Sequence, residues 1–248
     1  MIKVEGLYKS FDGVQVLRGA SFEAKRGEIL ALIGSSGSGK SVLLKHVAGL
    51  IKPDRGRVLV DGEDMCCLGG KELEAVRRRF GFLFQNGALF DSMTVFENVA
   101  FPLREKSDLS EAEIRKEVLE ELNHVGLSGA EEKYPGQLSG GMIKRAALAR
   151  ALVMRPEIML FDEPTTGLDP IITHAIHRLI DSCHRRLGFG GIIITHEVPK
   201  IFEIVQEVAM LYEGAILATG TPAEILASDN PVVHQFVAGE IDGPMQFL

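Results

Sequence analysis

The chain has 248 residues, of which 46% are hydrophobic and 25% charged, so it is long enough to bury a substantial core, and a disordered or fibrous protein is disfavoured. Its formal net charge is −7 and its Lys and Arg residues are scattered, which disfavours a nucleic-acid partner. The three cysteines, Cys66, Cys67 and Cys183, lack zinc-ligand spacing and are predicted to be free thiols.

The first thirty residues alternate apolar and polar positions, with turn signals at Asp12-Gly13 and Arg26-Gly27. This pattern predicts antiparallel strands that lead into a buried strand. The buried strand runs directly into a glycine-rich loop, which is followed by an apolar helix over residues 41–50. Strand, loop and helix in this order are typical of a phosphate-binding α/β unit.

Helical signals dominate the middle of the chain. Ser110 and Glu113 form a capping box ahead of an apolar stripe with helical spacing that ends at Gly126. Further along the chain, short apolar runs predict strands over residues 158–161, 192–195, 208–212 and 215–218. A second capping box, at Thr221 and Glu224, predicts a short helix near the end of the chain.

The strongest local motif is the glycine-rich loop, which fits G-x-x-x-x-G-K-[ST] between a strand and a helix. It consists of Gly34, Ser35, Ser36, Gly37, Ser38, Gly39, Lys40 and Ser41. The glycines allow main-chain N–H groups and the helix N-terminus to face phosphate groups. Lys40 is predicted to reach the β- and γ-phosphates of a nucleotide, and the Ser41 hydroxyl to bind magnesium. A chance Gly/Ser loop is the alternative.

An acidic pair ends the apolar strand predicted over residues 158–161. Asp162 is predicted to lie on the magnesium side, and Glu163 to orient or deprotonate the attacking water. A lone Asp-Glu pair is usually only solvated, but the P-loop in the same chain favours the catalytic interpretation.

A third motif, residues 138–142 (LSGGM), immediately precedes a helix predicted over residues 143–152. Ser139 is predicted to cap this helix, while Gly140 and Gly141 leave its first amides open as a second anion site. Ser-Gly-Gly by itself is more often only a helix start. Here the sequence resembles the ABC ATPases, whose LSGGQ signature lies between the P-loop and the acidic strand in the same order.

The resemblance continues over nearly the whole chain, with its motifs in the family's order. The further matches are Phe11 to the aromatic that stacks on adenine, Gln85 to the Q-loop glutamine that senses magnesium and the attacking water, Asp169 to the D-loop, and His196 to the switch histidine at the γ-phosphate. Each has an ordinary structural explanation in isolation: a core Phe, a surface Gln, a turn, a structural His. Together they imply ATP hydrolysis with ATP and Mg²⁺ bound.

The resemblance also implies the fold and the assembly. The fold is α/β, a RecA-like P-loop NTPase core with an antiparallel β subdomain and a helical insertion. The core is expected over residues 1–85 and 151–230, the helical subdomain over 86–150, and a C-terminal tail over 231–248. In a homodimer, Ser139 of one copy is expected to act on the ATP held by Lys40 of the other.

Two segments and two substitutions are similar to the ATPases of Mla- and Mce-associated lipid transporters. The segments are residues 82–103 (FLFQNGALFDSMTVFENVAFPL) and the tail residues 235–244; the substitutions are Met142, where Gln is usual, and Val42, where Thr is common. This resemblance implies phospholipid cargo, an Mce-domain lipid-binding partner and, in some systems, a small STAS-domain partner. An ATPase of another importer, for polar amino acids or ions, is the alternative. A soluble non-transport ABC protein is disfavoured.

The sequence shows no signal peptide and no run of the roughly 20 apolar residues that a membrane-spanning helix needs. If the chain serves a membrane transporter, another chain must form the pore. The resemblance implies a separate integral membrane permease, with this chain bound peripherally on the cytoplasmic side of the inner membrane. Several large apolar residues of a loop-rich stretch are predicted to form the permease contact: Leu89, Phe90, Met93, Val95 and Phe96.

Overall fold

The computed structural model describes residues 1–246, which form two compact units. The P-loop unit comprises residues 1–77 and 190–246, and the signature unit comprises residues 78–189. The last two residues of the predicted tail, 247 and 248, lie outside the described residues. No helix within the described residues is long and apolar enough to cross a membrane.

The P-loop unit begins with an antiparallel sheet and the strand that leads into the P-loop. Its first elements are β1 (Ile2–Phe11), β2 (Val14–Ala24), β3 (Ile29–Ile33), α1 (Lys40–Val47), β4 (Arg55–Val60), β5 (Glu63–Asp64) and α2 (Gly70–Arg77). The antiparallel sheet has the order β2-β1-β4-β5. Asp12 and Gly13 both have positive φ, 49° and 81°, as a two-residue hairpin turn requires. The predicted antiparallel strands are confirmed.

The signature unit has two parallel strands and four α-helices. Its elements are β6 (Phe80–Leu83), α3 (Val95–Lys106), α4 (Glu111–His124), a 3₁₀ turn (Pro135–Gln137), α5 (Gly140–Leu152), β7 (Ile158–Asp162) and α6 (Pro170–Leu187). Strands β6 and β7 pair in parallel. The predicted capping box of Ser110 and Glu113 is confirmed at the start of α4. The predicted helical insertion, residues 86–150, lies within this unit, and its boundaries as a separate subdomain stay a prediction.

The chain then returns to the P-loop unit and completes its second sheet. These elements are β8 (Gly190–Thr195), a 3₁₀ turn (Lys200–Glu203), β9 (Glu207–Tyr212), β10 (Ala215–Gly220), α7 (Pro222–Leu226) and α8 (Pro231–Ala238). Within this unit the order is β10-β9-β3-β8, with β3 parallel to both neighbours. All residues of β3 and β8 are buried, as expected for central parallel strands. The capping box of Thr221 and Glu224 is confirmed.

The C-terminal tail folds back around one buried glutamine, Gln235 of α8. Its Nε2 lies 3.3 Å from the main-chain oxygens of Glu240, Ile241 and Met245, and its Oε1 accepts a hydrogen bond of 2.7 Å from the Met245 amide. Met245 is buried in consequence, whereas Ile241 is 88% exposed. A single side chain therefore closes the tail into a loop.

We expect Gln235→Leu to release this loop, because the buried main-chain groups around Met245 lose their partner. Leaving such groups unsatisfied costs about 1–3 kcal/mol of unfolding free energy. Denaturant unfolding would measure the loss, and limited proteolysis would detect cleavage near Ile241. Gln15→Leu makes the same change at an exposed position of β2 and should leave both readouts unaltered. Equal protease resistance of the Gln235 variant would contradict the proposed closure.

Candidate functional site

The P-loop connects β3 to α1, and its backbone conformation requires glycine at defined positions. Gly34 and Gly39 have φ of 148° and 101°. A Cβ atom at Gly34 would lie 2.3 Å from the main-chain oxygen of Leu211, so no other residue fits there. Gly39 is the N-cap of α1 and no side chain caps this helix end. The first amides of α1 are therefore positioned to bind an anion.

Lys40 is buried, and its ammonium group forms hydrogen bonds to the start of the P-loop. Its Nζ donates hydrogen bonds of 2.8 Å to the main-chain oxygens of both Gly34 and Ser35. Within residues 1–246, the Ser38 hydroxyl is buried without a hydrogen-bond partner. Buried polar groups are normally paired, so this hydroxyl is available to a polar ligand. The ammonium group of Lys40, the uncapped amides of α1 and the Ser38 hydroxyl are together suited to bind a polyphosphate.

An open cavity of about 580 Å³ adjoins the loop. All the residues that line it belong to the P-loop unit: Ser35, Ser36, Gly37, Ser38, Tyr212, Glu213, Pro244, Met245 and Gln246. The position of the tail beside the P-loop was not predicted from the sequence. It depends on Gln235, whose contacts with the tail place Met245 here.

Two further residues of the P-loop unit were predicted from the resemblance. His196 directly follows Thr195, which pairs with Ile33 of β3, the residue before the P-loop. The exposed His196 and the P-loop therefore share one edge of the parallel sheet, the carboxyl edge at which such sheets bind ligands. Phe11 ends β1 and is 43% exposed, so the alternative that it is a core residue is wrong.

In the signature unit, Gln85 and Glu163 meet beyond the carboxyl ends of β6 and β7. Gln85 Nε2 donates to Glu163 Oε2 at 3.2 Å, and Thr166 Oγ1 donates to the same oxygen at 2.9 Å. The Glu163 backbone has φ of 47°, a left-handed conformation that non-glycine residues rarely adopt and that concentrates at functional sites. Asp162, buried at the end of β7, precedes it. Thr166 was not anticipated, because no motif includes it.

The signature motif starts α5, as predicted. The Ser139 hydroxyl accepts from the Met142 amide at 3.4 Å. A Cβ atom at Gly141 would lie 2.9 Å from Cγ2 of Ile172 in α6, and one at Gly140 3.2 Å from a methyl of Leu168. Packing within the unit thus leaves little room for a side chain at Gly141, and room for one at Gly140 only if Leu168 shifts slightly, independently of any ligand. The anion site at this helix start stays a prediction.

Asp169, the predicted D-loop residue, is the N-cap of α6. Its carboxylate accepts hydrogen bonds from the amides of Ile171 at 2.9 Å and Ile172 at 3.0 Å. A cap of this kind typically contributes about 1 kcal/mol to helix stability. Its structural role is therefore established by geometry, and its contact with nucleotide stays a prediction.

Two cations of α5 hold the Q-loop that begins at Gln85. The buried Lys144 donates to the main-chain oxygen of Gln85. Arg150 donates to the main-chain oxygens of Gly87 at 2.8 Å and Ala88 at 2.7 Å. Burial lowers the pKa of Arg150, although a guanidinium stays protonated at neutral pH. The helix that begins at the signature motif therefore positions the segment that carries Gln85.

The segment before α3 is organised by Asn98, which is fully buried. Its Nδ2 donates to the main-chain oxygens of Phe90, Met93 and Thr94 at 3.0–3.1 Å, and its Oδ1 accepts from the Phe90 amide at 2.8 Å. The prediction that Val95 belongs to an apolar contact surface is wrong. Val95 is the first residue of α3 and is completely buried, because the Thr94 cap turns the chain into the helix there.

Phe90 instead belongs to an aromatic groove of about 340 Å³ on the signature unit. Phe82 and Phe84 stack at 4.1 Å between ring centroids, and Phe90 meets Phe101 edge-on at 5.1 Å. Phe84 and Phe90 each keep about two fifths of their surface exposed. The charged residues that line the groove are Arg78, Glu105, Lys106 and Arg150. The groove is therefore lined mainly by apolar residues, and three of its four charged residues are basic.

Sequence comparison finds relatives that match most of the chain. The ABC transporter family profile matches residues 17–166. The probable ribonucleotide transport ATP-binding protein mkl of Mycobacterium leprae is 45% identical over 98% of this chain and 70% of its own length. The intermembrane phospholipid transport system ATP-binding protein MlaF of Haemophilus influenzae is 42% identical over 100% of this chain and 94% of its own length. MlaF of Escherichia coli K12 is 41% identical over 92% and 84%, respectively.

Solved structures share the fold. A dimeric post-hydrolysis state of the ATP-binding cassette MJ0796 bound to ADP and Pi has a TM-score of 0.81 and 31% identity, covering 90% of this chain and 99% of that one. The structure of cbiO1 from Clostridium perfringens, part of the ABC transporter complex cbiONQ, has a TM-score of 0.84 and 34% identity, covering 97% and 95%. Each likeness extends over at least nine tenths of this chain.

Proposed function

Because this chain belongs to the ABC transporter family of ATP-hydrolysing subunits, we propose that it powers phospholipid transport through a separate membrane permease. The observation that carries the proposal is its likeness, along its whole length, to the phospholipid transport protein MlaF of Haemophilus influenzae. The chain supplies ATP binding and hydrolysis, while the lipid is carried by its partners. A lipid-binding Mce-domain protein and, in some systems, a small STAS-domain protein complete the proposed assembly.

The proposed hydrolysis assigns a role to each polar group of the site. Lys40 and the P-loop amides bind the β- and γ-phosphates, and His196 contacts the γ-phosphate. Glu163 orients and deprotonates the attacking water. Its carboxylate accepts hydrogen bonds from Gln85 and Thr166, so contacts within the signature unit define its position.

The proposed metal is Mg²⁺, with Ser41, Asp162 and Gln85 as candidate ligands. All three are oxygen donors, which is the ligand type that Mg²⁺ prefers. Among residues 1–246 no group of three His, Cys, Asp or Glu side chains converges to form a metal cage. This fits a Mg²⁺ ion that is bound largely by water and nucleotide phosphates, as is common for this ion. When bound, the ion neutralises phosphate charge.

The proposed active form is a homodimer that binds each ATP between two copies. In this arrangement Ser139, Gly140 and Gly141 of one copy face the nucleotide held by Lys40 of the other. The dimeric MJ0796 cassette, which is 31% identical to this chain and binds ADP and Pi, supports this proposal.

We assign the aromatic groove to the permease, and we propose that the ATPase lies on the cytoplasmic face of the inner membrane. An apolar patch with exposed Phe84 and Phe90 is typical of a protein interface. Three of the four charged residues that line it are basic. The matching partner is therefore a short permease helix that presents apolar side chains and a carboxylate.

Reconstitution tests the proposed cargo. The ATPase and its permease would be placed in one vesicle population, and transfer of a fluorescent phospholipid to acceptor vesicles would be followed with and without ATP. We expect ATP-dependent transfer. ATP-dependent uptake of a ribonucleotide without lipid transfer would contradict the proposal and would favour the activity named for the mkl protein.

The groove assignment predicts that Phe90→Asp separates ATP hydrolysis from transport. A carboxylate in the aromatic groove should abolish copurification with the permease and reduce lipid transfer at least tenfold, since buried charge at an interface costs several kcal/mol. ATP hydrolysis by the ATPase alone should change less than about twofold. Leu109→Asp introduces the same charge at another exposed apolar residue of the signature unit and serves as the control. Wild-type assembly and transport by the Phe90 variant would place the permease contact elsewhere.

A further inference from the structure

The end of β1 that carries Phe11 is tied to the loop that follows α1. Both carboxylate oxygens of Asp54 are used: Oδ1 accepts from Lys9 Nζ at 2.8 Å, and Oδ2 accepts from the Ser10 amide at 2.7 Å. Lys9 Nζ also donates to the main-chain oxygen of Lys52 at 3.0 Å. The two residues immediately before Phe11 are thus held by one short segment, residues 52–54.

On the side of β1 that faces β4, these side-chain contacts continue beyond the end of the strand ladder, whereas on the β2 side pairing extends to Phe11 and Val14. Pairing of β1 with β4 ends at Tyr8 and Arg55, and the register of β1 against β2 shifts between Lys9 and Ser10. The Asp54 amide donates to the Tyr8 oxygen at 2.9 Å, and beyond that point the Asp54 side chain takes over. The carboxylate therefore fixes the backbone at the position where regular pairing between β1 and β4 stops.

Lys9 also contacts the Phe11 ring directly. Its Nζ lies 5.4 Å from the ring centroid, within the range of a cation–π interaction. The Lys9 side chain is only 18% exposed, whereas Phe11 is 43% exposed. One part of the ring is therefore occupied by a held cation, while a large part stays available for a second contact. The hydrogen bond from Lys9 lowers the pKa of Asp54, which favours the charged carboxylate at neutral pH.

We propose that Lys9 and Asp54 form a positioning pair that orients Phe11 for stacking on the base of ATP. The inference rests on the proposed binding of ATP, in which Phe11 contacts adenine. A cation on one side of the ring withdraws electron density from it and makes the ring a better partner for an electron-rich purine. The pair also links the part of the site that contacts the base to the part that contacts the phosphates. Residues 52–54, which include Asp54, follow α1, and α1 begins with Lys40.

The absence of tryptophan from the sequence provides a direct spectroscopic test. Phe11→Trp introduces a single tryptophan, which can be excited selectively in the presence of the three tyrosines and whose quenching by ATP reports stacking on the base. In this background Lys9→Met should weaken ATP binding about fivefold and reduce the quenching at saturation. Binding of tripolyphosphate, measured by calorimetry, should not change, because this probe has phosphates and no base. With Phe11 retained, Lys9→Met should raise KM for ATP and leave kcat unaltered.

Matched variants separate positioning from general stability. Lys9→Arg keeps the cation and should retain most of the ATP affinity, whereas Asp54→Asn should act in the same direction as Lys9→Met. The double variant should bind ATP no more weakly than the weaker-binding of the two single variants, because both changes break the same contact. Lys3→Met removes a lysine on the same strand that is paired with Glu5 at 2.7 Å, and it should have no effect.

The outcomes distinguish this inference from the proposed function. If Phe11→Ala weakens ATP binding but Lys9→Met does not, the positioning pair is overturned and ATP binding through Phe11 stands. If Lys9→Met weakens ATP and tripolyphosphate equally, Lys9 acts on the phosphate site or on the fold, which also overturns the inference. If the wild-type chain binds tripolyphosphate as tightly as ATP and Phe11→Ala changes neither, the proposed base contact itself fails.

Discussion

Replacing Glu163 with Gln is expected to lower ATP turnover by roughly 10²–10⁴-fold while leaving ATP binding intact. The amide cannot accept the proton of the attacking water, but its oxygen can still accept the hydrogen bonds of Gln85 and Thr166. The left-handed backbone at Glu163 is unaffected by the change. Phosphate release would measure turnover, and equilibrium binding of labelled ATP would measure affinity.

The control for this variant is Glu157→Gln, which makes the same change just before the opposite end of β7. Glu157 pairs with Arg79 at 2.9 Å at the surface, so its loss should cost little and leave turnover unchanged. The Glu163 variant should also accumulate as an ATP-bound dimer in size-exclusion chromatography. Wild-type turnover by the Glu163 variant would remove this residue from the role of general base.

The second large effect is expected for Lys40→Ala, which should weaken ATP binding at least about tenfold and abolish hydrolysis. The substitution removes the cation that forms hydrogen bonds to the main-chain oxygens of Gly34 and Ser35. Charge-assisted hydrogen bonds to phosphate are among the strongest in proteins, so their loss affects binding itself. Titration with labelled ATP measures the affinity. Lys45→Ala, an exposed lysine of the same helix, is the matched control.

The same variant tests whether the site is shared between two copies. Mixing Lys40→Ala subunits with Ser139→Arg subunits places both lesions in one site of the mixed dimer and leaves the other site intact. We expect partial recovery of ATPase activity in the mixture, although each variant alone is inactive. Independent activity of a Ser139→Arg monomer, without dependence on protein concentration, would contradict the shared site.

Local signals were sufficient wherever one short segment contains the whole physical reason for a structure. The P-loop, the Asp12-Gly13 turn and the two capping boxes all depend on residues within eight positions of one another. Their conformations follow from glycine's access to positive φ and from side chains that cap nearby amides. The α/β fold, predicted from the order of strands and helices, and the membership in the ABC family, predicted from the signature and the other family motifs in their order, are confirmed by the matched profile and the solved cassettes.

The contacts that position the functional side chains required the tertiary structure, because their partners are far apart in the sequence. Glu163 is held by Gln85, 78 positions away, only because β6 and β7 pair in parallel and end together. Lys144 reaches the Gln85 oxygen across 59 positions, and Lys9 reaches Asp54 across 45.

Burial was similarly undecided by the sequence in the segment before α3. Val95 and Phe90 are both apolar and lie five positions apart, yet Val95 is buried by the start of the helix while Phe90 stays exposed in the groove. An apolar side chain that packs inward and one that faces a partner protein can be the same residue type, so residue type alone does not predict burial. By itself the sequence determined which chemical groups are present and their local backbone conformations. Only the folded chain decided which groups meet, since strand pairing and helix packing set those distances.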